Sequence, residues 1–476
     1  MSDIIIIGAG IIGCAVAREL SRYHSRITVL EKENDVACGT SKANSGIVHA
    51  GFDAAYGTLK AKYNVLGNQM FARIASELDF PFIRCGALVL AFTDKEVYEL
   101  KRLYSNGLKN GVKDLSLLTK EEALNLESNI SSEVKGALLA PTSGIAGPYE
   151  ATIAYAVSAA LNEVDFVFNA KVIDVVQENE HLIVVTENKK YRARVVINCA
   201  GVDADVINNM IVPEKIKITP RKGEYLLLDR AAGLYTSHTI FTLPTKTTKG
   251  VLVTPAVHGN TIVGPTADDT FDREDTATTG AGLDEAWTKG LRLIPSLNKK
   301  AVITQFAGLR AQIDDADFIV GFSSVPGFYN LAGIASPGLS CAPALAVKVA
   351  RDISEYLKLR PNQDFIEKQQ GIPVFSKLSL EEKAEKIKRN PQYANIVCRC
   401  EAVSEAEIVE AIQRTPGARD LDGIKRRTRA GMGRCQSGFC LTRVAAILAR
   451  ELSVPFEEVT KHGARSQIVV GKANKE

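Results

Sequence analysis

The sequence predicts an α/β protein of two units. The large one is built on a parallel sheet with an antiparallel sheet inserted into it, and the small, α-rich one lies at the C-terminus. Three observations predict this. The chain opens as an apolar strand, a glycine loop, a helix and a second strand, the βαβ order of a parallel sheet. From Glu224 to Thr266, short alternating strands are punctuated by turn signals such as His258-Gly259-Asn260, the pattern of antiparallel hairpins. After Pro361 the chain turns polar, and four of its nine cysteines then cluster between Cys398 and Cys440.

Taken in order, Ile4–Ile7 is the first strand, Ile11–Ser21 the helix and Ile27–Leu30 the second strand. A helix-rich stretch is expected from about Leu59 to Leu126 and another helix over Glu150–Asn162. Alternating strands follow at Phe166–Phe168, Val172–Glu178 and Leu182–Thr186. Val195–Cys199 is apolar except for Asn198 and runs into Ala200-Gly201, the profile of a buried parallel strand. Phe328–Leu331 is again apolar, and Gly333–Gly338 leads into a helix from about Ser340 to Leu357. Ser379–Arg389 is charged and helical in pattern. The expected organisation is a first unit over 1–375, a linker over 376–391 and a second unit over 392–476. Within the first unit the dinucleotide-binding parts are placed at about 1–80, 150–215 and 305–360, and the inserted sheet at about 81–149 and 216–304.

At 476 residues the chain is too long for one core. Its 46% apolar and 24% charged residues are those of an ordinary globular protein. A net charge of +3 gives no reason to expect nucleic acid or an anionic membrane as partner. No stretch approaches the roughly 20 apolar residues of a membrane-spanning helix. The Ile4–Ile7 run is too short for a signal-peptide core and lacks a basic leader, so a cytoplasmic location is expected, with peripheral membrane attachment left open. Cys14, Cys38, Cys85, Cys199 and Cys341 are scattered singly and read as small buried apolar side chains.

Gly8-Ala9-Gly10-Ile11-Ile12-Gly13 is a G-x-G-x-x-G fingerprint between strand and helix. Its glycines allow a tight turn, backbone approach to a pyrophosphate and close helix–strand packing, and the helix N-terminus faces the phosphates. The next strand ends in Glu31, placed to accept from the ribose hydroxyls of an adenosine moiety. The fingerprint alone leaves FAD and NAD open. Three further segments favour FAD: Thr40–His49, rich in small and polar residues; Val195–Gly201, a second strand ending in Ala-Gly; and Gly333–Ser340, a late helix N-terminus suited to negative charge on a reduced flavin.

Near the C-terminus, Cys398-Arg399-Cys400 is a C-x-C pair and Cys435–Cys440 a C-x4-C pair. Four thiolates on two short loops suit a tetrahedral zinc or a [2Fe–2S] cluster, and C-x-C in place of the C-x2-C knuckle favours the cluster. The basic run Lys425–Arg429 has no interleaved aromatics and reads as a cationic surface beside an anionic thiolate centre rather than an RNA patch.

On these residues the first unit resembles the flavoprotein amine and hydroxy-acid oxidoreductases typified by D-amino-acid oxidase, a family that includes glycerol-3-phosphate and L-2-hydroxyglutarate dehydrogenases. The words around the cysteines resemble the bacterioferritin-associated-ferredoxin type of [2Fe–2S] domain. The first resemblance implies a Rossmann-like FAD-binding domain with an inserted antiparallel-sheet substrate domain. Gly8, Gly10, Ile12, Gly13, Glu31 and Lys32 would hold the ADP half of FAD. Thr40, Ser41, Asn44, Ser45, Gly46, Val172, Ala200, Gly201, Gly338 and Leu339 would hold the rest. The second implies Cys398, Cys400, Cys435 and Cys440 as cluster ligands.

The first resemblance also places His49 against flavin and substrate, as a base taking a hydroxyl proton or as a hydrogen-bond partner of FAD. Arg310 would pair with an anionic substrate group, and Lys60 is a second anion contact. In place of the Arg-Tyr pair that respiratory glycerol-3-phosphate dehydrogenases carry after His-x-Gly, the chain has Phe52-Asp53. The leading expectation is a dehydrogenase oxidising sn-glycerol 3-phosphate to dihydroxyacetone phosphate. L-2-hydroxyglutarate or another 2-hydroxy acid is the alternative, and an amine or amino acid a further one. A fused one-electron centre implies relay to an electron-accepting partner protein or subunit rather than direct reduction of oxygen. Whether the protein is a homo- or hetero-oligomer stays open.

Overall fold

The parallel sheet forms around the first strand because Ile4–Ile7 has no polar side chain on either face and all four residues are buried. In the computed structural model, which describes residues 2–244, 250–313 and 317–471, this strand lies inside a six-stranded sheet. The spatial order is 319–322, 328–332, 195–198, 4–7, 27–30 and 165–167. Every pairing is parallel except that of the first two strands. The chain leaves Ile4–Ile7 toward Ile27–Leu30 on one side and returns as Val195–Asn198 on the other, so strand order reverses there. In open α/β sheets a ligand binds beyond the carboxyl ends at such a switch point.

Helices Ile11–Leu20, Pro148–Leu161 and Gly338–Leu357 supply much of the core around this sheet. The second sheet is the larger. Strands 219–228, 261–264, 252–255, 239–241, 87–91, 136–140 and 116–119 follow one another, with 268–269 and 302–312 both on 219–228. Two expectations need correction here. The stretch Leu59–Leu126 has three helices, but Ala87–Ala91 and Ser116–Thr119 within it are strands of the large sheet. Val302–Gln312, placed by its sequence with the dinucleotide-binding parts, pairs with Thr219–Leu228 over nearly its whole length. Its alternation is masked by Ala307-Gly308, small residues that serve close packing rather than pattern. Residues 245–249 of the predicted hairpin region and 472–476 of the C-terminal unit lie outside the described residues.

The segment after Pro361 is not a slack connection. Gln369 Nε2 donates to Leu78 O (3.1 Å) and Ala154 O (2.9 Å), and Asn162 Nδ2 donates to Ile366 O (3.0 Å). The expected linker is largely the helix Leu380–Arg389, started by a capping box between Ser379 and Glu382. Beyond it, helices Glu405–Gln413, Leu421–Thr428 and Leu441–Leu452 enclose a separate apolar core with Cys398 and Cys440. No helix among the described residues is long and apolar enough to cross a membrane.

Candidate active site and thiol centre

The nucleotide loop is built by the absence of side chains. Gly8 has φ 103°, and a Cβ there would stand 2.5 Å from Cys199 O. A Cβ on Gly13 would stand 2.0 Å from Gly8 O, so helix and loop meet backbone to backbone. The helix has no side-chain cap at Gly10; the Ile11 N–H instead donates to Ser41 Oγ (2.9 Å), tying the helix start to the turn Thr40–Lys42. Ile12 follows in the first turn, partly buried. Glu31 accepts from the N–H groups of Ala9 (2.7 Å) and Glu33 (3.0 Å). Burial pushes its pKa up, against those two donors. Lys32 forms an ion pair with Asp203 (3.0 Å). This cradle fits an ADP moiety: glycines where backbone must approach and a carboxylate at the strand end. Gly13→Ala forces an overpacking of about 1–3 kcal/mol into it. The expected outcome is a roughly tenfold or greater loss of FAD affinity, checked by flavin fluorescence on titrating the apoprotein.

The segment after the cradle is held from both sides. Thr40 Oγ1 donates to Leu309 O (2.5 Å), and Asn44 bridges Thr40 O (3.0 Å) and the Gly46 N–H (2.8 Å). Ser45, between them, is partly buried. Gly46 has φ 69° against Ala146 O, and a Cβ on Gly308 would stand 2.0 Å from Ala43 O. The strand carrying Arg310 is therefore pressed onto this segment. His49 is buried; its N–H donates to Ser340 Oγ (2.8 Å), its C=O accepts from Asn68 Nδ2 (3.0 Å), and its ring lies 5.9 Å from that of Phe241. Gly338 and Leu339 open the helix that supplies Ser340. Ala200 and Gly201 follow the strand Val195–Asn198, and buried Val172 begins the small sheet nearby.

Arg310 Nη2 donates to Thr266 O (3.1 Å), in space left by Gly223, whose Cβ would be 2.4 Å from it. Segment 40–49 thus ends in His49, held by Ser340, and meets the strand of Arg310 where Gly308 abuts Ala43. Lys60 is placed differently. Its N–H donates to Asp317 Oδ1 (3.1 Å) and its ammonium lies 5.4 Å from the centre of the Phe318 ring, beside the parallel sheet. Phe52 is buried against Gly107, so it packs the inserted domain.

Of the single cysteines, Cys14, Cys199 and Cys341 are buried, and Cys38 and Cys85 partly so. The remaining four lie in one region of the C-terminal unit. Cys400 Sγ and Cys435 Sγ are 3.4 Å apart, and Cys440 lies within electrostatic reach of Cys398. Burial pushes Cys400 up to about 11 and Cys440 to about 12. Cys435 is lowered: burial opposes this, but Cys400 and the N–H groups of Phe439, Ser437 and Gly438 outweigh it. Among the described residues no group of three or more His, Cys, Asp or Glu side chains converges on a single metal-ion position. The thiols stand as two pairs, an all-sulfur donor set of the kind two bridged irons take.

The basic run is not the surface its composition suggested. Arg426 and Arg427 are buried at the junction of the two units, both on Asp35, itself fully buried, at 2.7 and 2.6 Å. Asp35 lies four residues beyond Glu31, so the C-terminal unit closes over the loop that follows the strand Ile27–Leu30. Arg429 alone serves the thiol centre, pairing with Glu401 (3.0 Å) next to Cys400. Sequence reasoning also missed His258, which holds Glu150 through Nε2 (2.9 Å), and Tyr149, whose OH meets Met432 Sδ (3.4 Å). Each partner lies at least 100 residues away in the chain, and no local pattern marks either.

Known proteins match both units. The profile of the FAD dependent oxidoreductases matches residues 3–351, and that of the BFD-like [2Fe-2S] binding domain residues 396–450. A glycerol 3-phosphate dehydrogenase of Caloramator mitchellensis is 46% identical over 480 residues, covering 100% of both chains. The FAD-bound L-alpha-glycerophosphate oxidase structure of Mycoplasma pneumoniae is 32% identical, with a TM-score of 0.73 over 78% of this chain and 98% of that one. The L-2-hydroxyglutarate dehydrogenase of Nematostella vectensis is 33% identical over 57% of this chain and 63% of its own. A family match over residues 3–351 places the chain among the FAD-dependent oxidoreductases, and the second match gives it a BFD-like [2Fe-2S] binding domain.

Proposed function

We propose that the chain is a dehydrogenase that oxidises sn-glycerol 3-phosphate to dihydroxyacetone phosphate and passes the electrons through its cluster to a partner protein. The observation that carries this is the end-to-end likeness to a glycerol 3-phosphate dehydrogenase that spans both units, whereas the hydroxyglutarate relative covers 57% of the chain. The site chemistry agrees. Arg310 offers a guanidinium to an anionic head group, for which bidentate pairing is the strong geometry. His49, the last residue of segment 40–49, is positioned by Ser340 and Asn68, and its imidazole takes the hydroxyl proton. Bound FAD supplies the hydride acceptor. Lys60 is left out of this mechanism, since its ammonium lies over Phe318.

The reading is tested by anaerobic visible spectra before and after glycerol 3-phosphate. Bleaching of flavin and cluster bands together is the expected result. Bleaching with L-2-hydroxyglutarate alone would move the substrate to the alternative. Arg310→Ala is expected to raise KM about 10- to 100-fold, from the loss of a charged hydrogen bond of roughly 1.5–3 kcal/mol. Steady-state kinetics with an artificial acceptor measure it, with kcat changing less than KM.

A further inference from the structure

Around the thiol centre the exposed charges named here are arginines, beside one exposed aromatic. Phe439, next to Cys440, is 84% exposed. Arg399 sits between Cys398 and Cys400 and is exposed, and Arg434, next to Cys435, has a side chain 72% exposed. Arg443 is exposed one turn beyond Cys440, where it donates to Ile396 O (3.2 Å) and Asn395 Oδ1 (2.8 Å), so it spans both cysteine loops. The carboxylates facing arginines here, Asp229, Glu401 and Glu405 (which lies by Arg443), have side chains only 9%, 5% and 12% exposed. The anionic partners are turned inward and the cations outward.

We propose that the exposed side chains of the two cysteine loops, Phe439 and Arg399 with Arg434 and Arg443 beside them, are the docking site of a one-electron carrier protein whose own redox centre is rimmed by carboxylates. The inference rests on the relay reading above and adds where the carrier binds and what charge it presents. Arginines and aromatics are the residue types that dominate interface energetics, and an apolar centre with a charged rim is the usual interface anatomy. Complementary charge chiefly raises the encounter rate, by about 10- to 1,000-fold at low salt. Cys400 and Cys435 are the less buried thiols and belong to the same two loops as Arg399 and Arg434; an acidic carrier fits such loops while a basic one is repelled. Each substrate molecule oxidised yields two electrons and two protons. Two oxidised carrier molecules take one electron each, and the protons pass to solvent.

The alternative role of these arginines, offsetting the negative charge of the cluster alone, makes a different prediction: substitutions would shift the cluster potential without discriminating between carriers. The test uses the intact holoenzyme reduced by its substrate and two haem proteins as probes. One is the soluble domain of cytochrome b5, with an acidic haem rim, and the other is cytochrome c, with a basic one. Stopped-flow absorbance reads their reduction at about 0.02 and 0.2 M salt. The expected result is that cytochrome b5 is reduced faster at low salt, by roughly tenfold or more over high salt, and that Arg399→Glu with Arg443→Glu abolishes the preference and favours cytochrome c. Phe439→Ala slows cytochrome b5 reduction at both salt concentrations. Iron content and substrate bleaching of flavin and cluster verify each variant, and Arg443→Glu alone serves if Arg399→Glu loses iron.

Equal reduction of both probes without salt dependence, no reduction of cytochrome b5 by a bleached cluster, or unchanged preference in the charge-reversed protein overturns the docking site. A cluster that stays oxidised while the flavin bleaches removes the relay itself, a separate failure.

Discussion

Replacing Asp35 by asparagine is expected to release the C-terminal unit from the flavin-binding unit. The Asp35 carboxylate is fully buried between Arg426 and Arg427, whose side chains are 5% and 2% exposed. Nε of each guanidinium already lacks a hydrogen-bond partner, and Asp35 is the carboxylate that both pair with. Removing one partner of a buried ion pair costs about 3–5 kcal/mol, because the remaining charge stays buried without compensation. Denaturant unfolding would show an earlier first transition, and limited proteolysis would cut within residues 361–391. Substrate would still bleach the flavin while the cluster responds slowly. The triple change Asp35→Leu, Arg426→Met and Arg427→Met is expected to recover most of the lost stability, since an apolar replacement of such a group is often neutral. Desolvation raises the pKa of Asp35, but the two arginines outweigh it and hold the pKa below the usual carboxylate range. A depressed folded-state pKa stabilises above the unfolded value, near 3.9, and the contribution is lost as pH falls through the folded value. Detachment of the C-terminal unit at acid pH is therefore expected below about pH 4, and absent from the triple variant.

His49→Gln is expected to lower kcat by about 10²- to 10⁴-fold, the range supplied by a positioned general base. Glutamine keeps the backbone bonds to Ser340 and Asn68 and can still donate a side-chain hydrogen bond, but it accepts no proton. FAD content should stay near that of the parent protein. The acid limb of the kcat pH profile should flatten if proton transfer is the role of His49. Loss of flavin with little change in kcat per bound flavin would instead assign His49 to cofactor binding.

The cradle was legible in the sequence because its signal is local. Gly8, Gly10, Gly13 and Glu31 stand within one βαβ unit, and their spacing follows from one turn, one helix start and one strand end. The thiol centre was legible for the same reason, two short loops each carrying a spaced pair of cysteines. Arg310 was found only through family likeness, because its strand hides its alternation behind Ala307-Gly308. The basic run was misread because composition reports charge and says nothing about burial. Lys425–Arg429 has the make-up of a surface, and only its packing on Asp35 shows Arg426 and Arg427 inside the protein.

What the sequence determined by itself is what short-range sterics and donor chemistry dictate: the glycine loop, the helix N-terminus beyond it, the carboxylate at the second strand and the four-thiol set. How distant pieces meet depends on the packed chain. Asp35 with Arg426 and Arg427, Glu150 with His258, and Gly308 against Ala43 are separated by more than 100 residues, and no periodicity encodes such pairings. A buried charge is stable only opposite its partner, and a backbone approaches another only where side chains are missing. Both conditions are properties of the assembled fold.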